Sequence, residues 1–190
     1  MNAPAAAWFW FTVQTTIGYG NMAPATSNGR IMVFTVGFLS ILGFAGVLAS
    51  AGYILSFLFD DFVDRHGMKM MSKPWCASIL WGSTYYVWML VIGSYTQSWK
   101  QDRLDITLDT RDAYWFAFIS TTTVGLGDIF LEPEGITGRD VFAFPFLFLI
   151  GFMFLSAFLG KFAELIMHLL RHERKSFVDT LLEQRVRLKD

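Results

Sequence analysis

Three long apolar runs divide the chain, and none of them contains a charged residue. They cover residues 31–59, 74–99 and 141–160, and they are 29, 26 and 20 residues long. A helix needs about 20 apolar residues to cross the hydrocarbon core of a bilayer. Each run therefore predicts a membrane-spanning helix, and the first run is long enough to tilt or to extend beyond the bilayer.

Two shorter apolar segments, residues 5–16 and 113–123, are too short to span a bilayer. Segments of about 10–14 residues are more often re-entrant or buried. Each precedes a glycine-rich turn and then a long run, so the pattern predicts an all-α membrane protein with three transmembrane helices and two re-entrant segments. The predicted units are the first re-entrant segment with its inner helix (1–59), a cytoplasmic linker (60–73), an outer helix, second re-entrant segment and inner helix (74–170), and a tail (171–190).

The composition is typical of a protein whose main partner is membrane lipid. Apolar residues make up 54% of the chain and charged residues 16%, whereas a soluble domain carries about 25% charged residues. The net charge of −1 gives no support for a nucleic-acid partner. Cys76 is the only cysteine, so no disulfide can form within one chain. The sequence holds no phosphate-binding loop, zinc-binding HExxH helix or nucleophile elbow, so it indicates no enzyme.

The distribution of basic residues predicts the side of the membrane that each segment faces. The linker 60–73 and the residues after Gly160 hold ten of the 15 Lys and Arg side chains, and the flanks of the two glycine-rich turns hold the other five. Cytoplasmic segments are enriched in Lys and Arg. The linker and the C-terminus are therefore predicted in the cytoplasm and both turns outside, in the plasma membrane or an organelle membrane.

The two short segments and the turns after them form an internal repeat. An offset of 107 residues superimposes TTIGYGN at residues 15–21 on TTVGLGD at residues 122–128. Two such matches in the same context indicate one structural unit that occurs twice. The aromatic residues that match at the same offset are Trp8 with Trp115, Phe9 with Phe116 and Phe11 with Phe118.

Each turn holds glycines at alternate positions, as a row of backbone oxygens requires. A cation that loses its water inside a membrane needs replacement oxygens, and carbonyl groups along an extended chain can supply them. Such a chain alternates left-handed and right-handed dihedrals, and glycine adopts the left-handed ones at the lowest cost. The side chains of Ile17 and Val124 are expected to point away from the ion. The predicted potassium-binding residues are Thr16, Ile17, Gly18, Tyr19, Gly20, Thr123, Val124, Gly125, Leu126 and Gly127.

The sequences TIGYG and TVGLG resemble the TVGYG signature of potassium-selective channels, and two copies in one chain resemble the two-pore-domain potassium channel family. The resemblance runs from about Pro4 to Leu170. It implies the potassium-channel pore fold and a passive, leak-type potassium pore. Because four filter segments surround one axis, it also implies a homodimer. Potassium is then the permeant ion, and no cofactor is implied.

Subunits of that family begin with an outer helix, for which this sequence has no room before residue 4. A truncated piece of a longer chain and a naturally short subunit that needs a helper protein both explain the difference. Two functional alternatives follow. One is a non-conducting regulatory subunit that assembles with complete partners. The other is a weakly selective cation channel, because Leu126 replaces the usual aromatic residue in one filter.

The resemblance also implies side chains that support the filters. Trp115 and Asp128 match a tryptophan and an aspartate that are hydrogen-bonded behind the filter in potassium channels. Trp8 and Asn21 have the same spacing and would form the uncharged counterpart. The alternative for Asp128 is an ordinary acid that faces outside water.

Glycines interrupt both predicted inner helices, at Gly43, Gly46 and Gly151. A glycine inside a helix costs about 1 kcal/mol, so these positions predict either a gating hinge or close packing between helices.

The tail 171–190 combines six Lys and Arg residues with apolar residues at helical spacing. It fits either an anionic lipid surface or a solvated, self-associating helix. His168 and His172 lie one helical turn apart, a spacing that suits a metal or a pH response but that exposed histidines often have without either role. Lys161 and Glu164 are expected to pair or to reach the interface separately.

Overall fold

The chain is almost entirely helical in a computed structural model, which describes residues 2–68, 70–71 and 73–187, with side chains as far as residue 171. No strand occurs in these ranges. The α-helices are α1 (Ala3–Gln14), α2 (Ser27–Met32), α3 (Phe38–Arg65), α4 (Pro74–Leu104), α5 (Thr110–Thr121) and α6 (Asp140–Arg187), and a π-helical turn (Val33–Gly37) joins α2 to α3.

Three helical stretches are long and apolar enough to cross a membrane: Ser27–Arg65, Pro74–Leu104 and Asp140–Arg171. They contain the three predicted spans. The two short segments form α1 and α5, which have 12 residues each. The predicted fold class, three transmembrane helices with two re-entrant pore-helix segments, is therefore confirmed. We call α1 and α5 the pore helices, α3 and α6 the inner helices, and α4 the outer helix.

Local sequence signals explain where several helices begin and end. Asn2 caps α1 by accepting a hydrogen bond from the Ala5 N–H at 2.9 Å, and Pro4 lies in the first turn. Pro74 opens α4, at a position where its missing N–H has no intrahelical partner to lose. Asp105 ends α4 in the left-handed conformation, with φ 53°, which Asp adopts more readily than most residues.

Helix α6 is the centre of the packing, because α4, α3, α5 and α1 all contact it. Its buried face carries Phe144, Phe148 and Phe152, one helical turn apart. The ring centroid of Phe148 lies 5.9 Å from that of Trp8 and 6.1 Å from that of Phe116. Each such aromatic pair contributes about 0.5–1.5 kcal/mol beyond the area it buries. One side of α6 thus holds both pore helices in place.

The first inner helix is far less covered than α6. Within Phe38–Arg65 the fully buried residues are Gly52 and Val63. Large apolar side chains such as Phe34, Leu39 and Val47 are exposed. At membrane depth such a surface faces lipid, another protein chain or a water-filled cavity.

An ion pair joins the two inner helices near their inner ends. The Lys161 ammonium lies 2.5 Å from Asp60 Oδ2 on α3 and 3.2 Å from Glu164 Oε2 on its own helix. The Lys161 side chain is buried, while both carboxylates are more exposed. The predicted pair of Lys161 with Glu164 therefore forms, and Asp60 extends it across the helix interface.

The inner-helix glycines lie in continuous helix and differ in what surrounds them. A Cβ added to Gly151 would lie 3.0 Å from Thr121 Cγ2, so this glycine lets α6 approach α5 closely. Gly43 and Gly46 have no described atom within 4 Å of such a Cβ. Close packing thus accounts for Gly151, and a hinge at any of the three positions stays a prediction.

At Gly52 the helices α3 and α6 lie close together. A Cβ at this position would collide with the side chain of Ser156. Gly52→Ala should therefore lower the thermal stability of the purified protein in detergent, since overpacking costs about 1–3 kcal/mol.

The matched control is Gly46→Ala on the same helix, where space is open. It should preserve or raise stability, because Ala favours helix over Gly. Adding Ser156→Gly to Gly52→Ala should recover the lost stability. Equal melting temperatures for Gly52→Ala and Gly46→Ala would contradict this helix crossing.

Candidate ion-selectivity filter

Each predicted filter segment leaves the C-terminal end of its pore helix through the same backbone contact. We call residues 16–20 the first filter and residues 123–127 the second filter. The Gly18 N–H donates to the Thr12 carbonyl at 3.1 Å, and the Gly125 N–H donates to the Ile119 carbonyl at 2.9 Å. These residues match at the offset of 107. The repeat seen in the sequence is therefore also a repeat in backbone geometry.

Left-handed residues alternate along both filters. In the first filter Thr16, Gly18 and Gly20 have φ values of 59°, 56° and 80°. The residues with positive φ in the second filter are Thr123 (58°), Gly125 (49°) and Gly127 (78°). This alternation turns successive carbonyl groups toward one side, as a cation-binding row requires. The left-handed conformation costs a threonine about 1–2 kcal/mol, so the surrounding helices must hold each filter in place.

The two filters lie side by side within the chain. A Cβ at Gly125 would collide with the Ile17 carbonyl oxygen, and one at Gly127 would collide with the Tyr19 carbonyl oxygen. Glycine is required at both positions for this approach as well as for the left-handed backbone. The equivalent positions of the first filter, Gly18 and Gly20, meet no described atom within 4 Å.

The first filter packs its side chains against the second pore helix. The Tyr19 hydroxyl bonds to Ser120 Oγ at 2.6 Å, and Ser120 donates to the Phe116 carbonyl at 2.6 Å. Since Ser120 has one proton, Tyr19 is the donor of the first bond. The Tyr19 ring stacks on Phe116 with centroids 6.0 Å apart. Ile17 is buried as well.

The second filter lacks such a cover in this chain. Val124 is 53% exposed and Leu126 is 59% exposed, whereas their counterparts Ile17 and Tyr19 are 3% and 6% exposed. The side chains of the second filter meet no comparable pore helix among the described residues.

A hydroxyl pair between the outer helix and the second pore helix was not predicted. The Tyr85 hydroxyl of α4 bonds to Thr121 Oγ1 at 2.8 Å, and Thr121 donates to the Ala117 carbonyl at 2.7 Å. Ser120 was missed as well. The repeat held a signal for these two hydroxyl groups, because the first copy has Val13 and Gln14 at the positions of Ser120 and Thr121.

The predicted support pairs differ between the repeats. Trp115 Nε1 donates to Asp128 Oδ2 at 2.6 Å, so the structure brings this pair together. The bond predicted between Trp8 and Asn21 is not formed, because Trp8 Nε1 and Asn21 Nδ2 are both buried without a hydrogen-bond partner among the described residues. The prediction of a Trp8–Asn21 hydrogen bond was therefore wrong. Aromatic packing holds Trp8 instead, since its ring stacks on Phe11 with centroids 5.4 Å apart.

The loop after the second filter is anchored by charges at the C-terminal end of α4 and the N-terminal end of α6. Lys100 is buried and lies 2.6 Å from Glu132 Oε1. Asp140 accepts hydrogen bonds from the Thr137 N–H at 2.8 Å and from Thr137 Oγ1 at 2.6 Å. These contacts position the chain that leaves the filter and enters α6.

Backbone oxygens are the cation ligands that this site offers. Among the described residues no group of three or more His, Cys, Asp or Glu side chains could hold a metal ion. His172 lies outside the described side chains. The C-terminal ends of α1 and α5 point their partial negative charge toward the start of each filter, which favours a cation there.

Trp115→Phe removes the donor to Asp128 and keeps most of the ring. Because a hydrogen bond to a charged group contributes about 1.5–3 kcal/mol, this variant should lower the protection that potassium gives against thermal unfolding. Asp128→Asn should lower it in the same direction. Trp8→Phe is the control, since Trp8 Nε1 has no partner among the described residues. Equal effects of Trp8→Phe and Trp115→Phe would contradict the role of this bond.

The sequence is similar to mammalian potassium channels. Over 172 residues it is 28% identical to potassium channel subfamily K member 2 of Rattus norvegicus. The aligned region covers 83% of this chain and 38% of that protein. Over 175 residues it is 28% identical to potassium channel subfamily K member 10 of Mus musculus. The aligned region covers 84% of this chain and 31% of that protein. The chain thus spans about a third of the length of these relatives.

A family model described as "Ion channel" matches residues 1–57 and 75–168. These two stretches contain both pore helices and both filters, and they leave out the whole linker 60–73. The chain therefore belongs to the ion channel family, and within that family it is similar to potassium channels of subfamily K.

Proposed function

We propose that this chain is a subunit of a potassium-selective channel that conducts passively across a membrane. The observation that carries the proposal is the alternation of left-handed residues at Thr16, Gly18 and Gly20 and at the matching positions of the second filter. This backbone presents consecutive carbonyl oxygens to one axis. Such a row replaces the hydration shell of a potassium ion.

The surrounding helices support the same function. Irregular backbone at membrane depth persists only where protein surrounds it or where it lines a cavity. Both filters follow pore helices that are anchored on α6 through Trp8, Phe116 and Phe148. The ion then passes down its own gradient, since the carbonyl row binds and releases it without any coupled chemical step.

We propose a homodimer because a potassium cage takes four filter strands and one chain supplies two. The exposure of equivalent residues supports this. Ile17 and Tyr19 are buried by the second repeat of the same chain, while Val124 and Leu126 are exposed. Two chains related by a twofold axis would cover the second filter with the first repeat of the partner, and twofold symmetry is the commonest arrangement of identical subunits.

The proposed orientation places the linker and the C-terminus in the cytoplasm and the filters' outer ends outside, from the distribution of Lys and Arg. The Lys161 pair with Asp60 then lies at the cytoplasmic end of the inner helices. Binding of the tail to anionic lipid stays a prediction, because the side chains of residues 172–190 lie outside the described part of the chain.

A weakly selective cation channel is the second candidate. Leu126 has no hydroxyl, so the second filter cannot form the hydrogen bond that ties Tyr19 to Ser120. A strand that is held by packing alone would allow its carbonyls to adjust to a smaller ion. Reversal potentials in mixed potassium and sodium separate this candidate from the first.

Gly18→Ala and Gly125→Ala should each abolish or strongly reduce the preference for potassium over sodium. A side chain at positive φ disfavours the observed backbone and rotates a carbonyl off the axis. The measurement is the reversal potential of the reconstituted protein in mixed potassium and sodium.

The control is Gly138→Ala, because this glycine lies in a loop with open space around it and no positive φ. It should leave selectivity unchanged. Normal selectivity in both filter variants would show that these segments are not the filter.

Native mass measurement of the purified protein in detergent should find two chains per particle. Val124→Arg places a charge on the exposed side of the second filter and should shift the population to single chains. Ile106→Arg, at an exposed loop position, should not. A stable four-chain particle, which would hold eight filter strands, is incompatible with the proposal.

A further inference from the structure

We infer that Leu126 of one subunit packs against Val13 and Phe9 of a second copy, and that this apolar contact replaces the Tyr19–Ser120 hydrogen bond at the joint between subunits. The inference rests on the proposed homodimer and adds the residues that meet. The ring of four filters would then have two kinds of joint: hydrogen-bonded ones within each chain and apolar ones between chains.

The contact between the first filter and the second pore helix of the same chain shows how a filter side chain is held. Tyr19 of the first filter reaches the second pore helix, where its hydroxyl meets Ser120 at 2.6 Å and its ring stacks on Phe116 at 6.0 Å. Subtracting the repeat offset of 107 from Ser120 and Phe116 gives Val13 and Phe9 on the first pore helix. These are the positions that a partner's first pore helix would present to the second filter.

Both members of the hydrogen-bonded pair are replaced together in the other copy of the repeat. Tyr19 becomes Leu126 and Ser120 becomes Val13, while the aromatic platform is kept as Phe116 and Phe9. A single replacement would leave a buried hydroxyl unpaired, which is costly, whereas replacing both partners by apolar groups is nearly neutral. The matched change is expected if the two positions meet.

The exposed side of the second filter and the open side of the first filter fit each other. Leu126 is 59% exposed and Val13 is only partly buried. A Cβ at Gly125 would collide with the first filter of the same chain, but Gly18 faces open space among the described residues. A neighbouring second filter would occupy that space. Lipid is excluded as the occupant, because a filter backbone at membrane depth must be enclosed by protein.

The experiment separates pairing within a chain from pairing between chains. Two versions of the chain carry different affinity tags, one with Leu126→Tyr and the other with Val13→Ser. Each version is made alone, and both are also made together, with the mixed particles isolated through the two tags. Potassium and sodium fluxes are then measured in liposomes, and thermal unfolding is recorded to verify that each sample is folded.

Leu126→Tyr alone should lose about fivefold or more of its potassium-over-sodium selectivity, because its hydroxyl is left unpaired in an apolar joint. Val13→Ser alone should also lose selectivity, because the smaller side chain removes the apolar contact with Leu126 and leaves a cavity. In the mixed particle the introduced tyrosine meets the introduced serine at one joint, and the other joint keeps Leu126 and Val13. Selectivity should therefore return close to that of the unsubstituted protein.

The matched control uses the joint within the chain. Tyr19→Leu and Ser120→Val should restore each other when both are on one chain, and should not when they are on separate chains. A second pair that exchanges volume, Leu126→Phe with Val13→Ala, serves if the polar variants do not fold. It should show recovery between chains in the same way.

The outcomes distinguish this inference from the homodimer on which it rests. Mixed particles that can be isolated but show no recovery would overturn the contact while the dimer stands. Failure to isolate any particle that carries both tags would overturn the dimer and the contact together. Folded single variants with normal selectivity would also overturn the contact, since the substituted side chains would then not meet.

Discussion

Irregular backbone inside a membrane must be enclosed by protein, and the rest of this structure depends on that constraint. The filters alternate left-handed and right-handed residues, so neither can satisfy its own backbone groups as a helix does. Two 12-residue pore helices, an aromatic face on α6 and the hydroxyl pairs of Tyr19 and Tyr85 all serve to hold them. The long helices matter mainly because they present these side chains at the right depth.

The side chains of the first filter are covered, whereas those of the second filter are exposed. Tyr19 lies on the second pore helix of its own chain, and Leu126 lies on nothing comparable in the described part of it. This difference arises although the two segments are copies of one sequence unit. Two repeats placed side by side leave one open face at each end of the pair. In the proposed homodimer, the exposed second filter and the open face of the first filter would meet the partner chain.

The two copies have also diverged in how they are supported. The second has a charged brace, Trp115 with Asp128 at 2.6 Å, and a hydroxyl anchor to the outer helix at Tyr85. The first relies on packing around Trp8, whose ring lies among Phe11, Phe144 and Phe148. In the proposed homodimer, the contacts that support the filters would therefore have twofold rather than fourfold symmetry.

The sequence by itself determined the features that are encoded within a few residues of one another. Apolar run length predicted the three spans, alternate glycines predicted the filter backbone, and the resemblance to potassium channels implied the pair of Trp115 and Asp128, which forms. The tertiary structure alone decided which neighbour each filter receives. Tyr19 and Ser120 are 101 residues apart, and the same spacing that joins Trp115 to Asp128 leaves Trp8 and Asn21 unbonded. Local periodicity follows from backbone geometry, but contacts between distant residues depend on how α6 packs against both pore helices, and no local pattern records that packing.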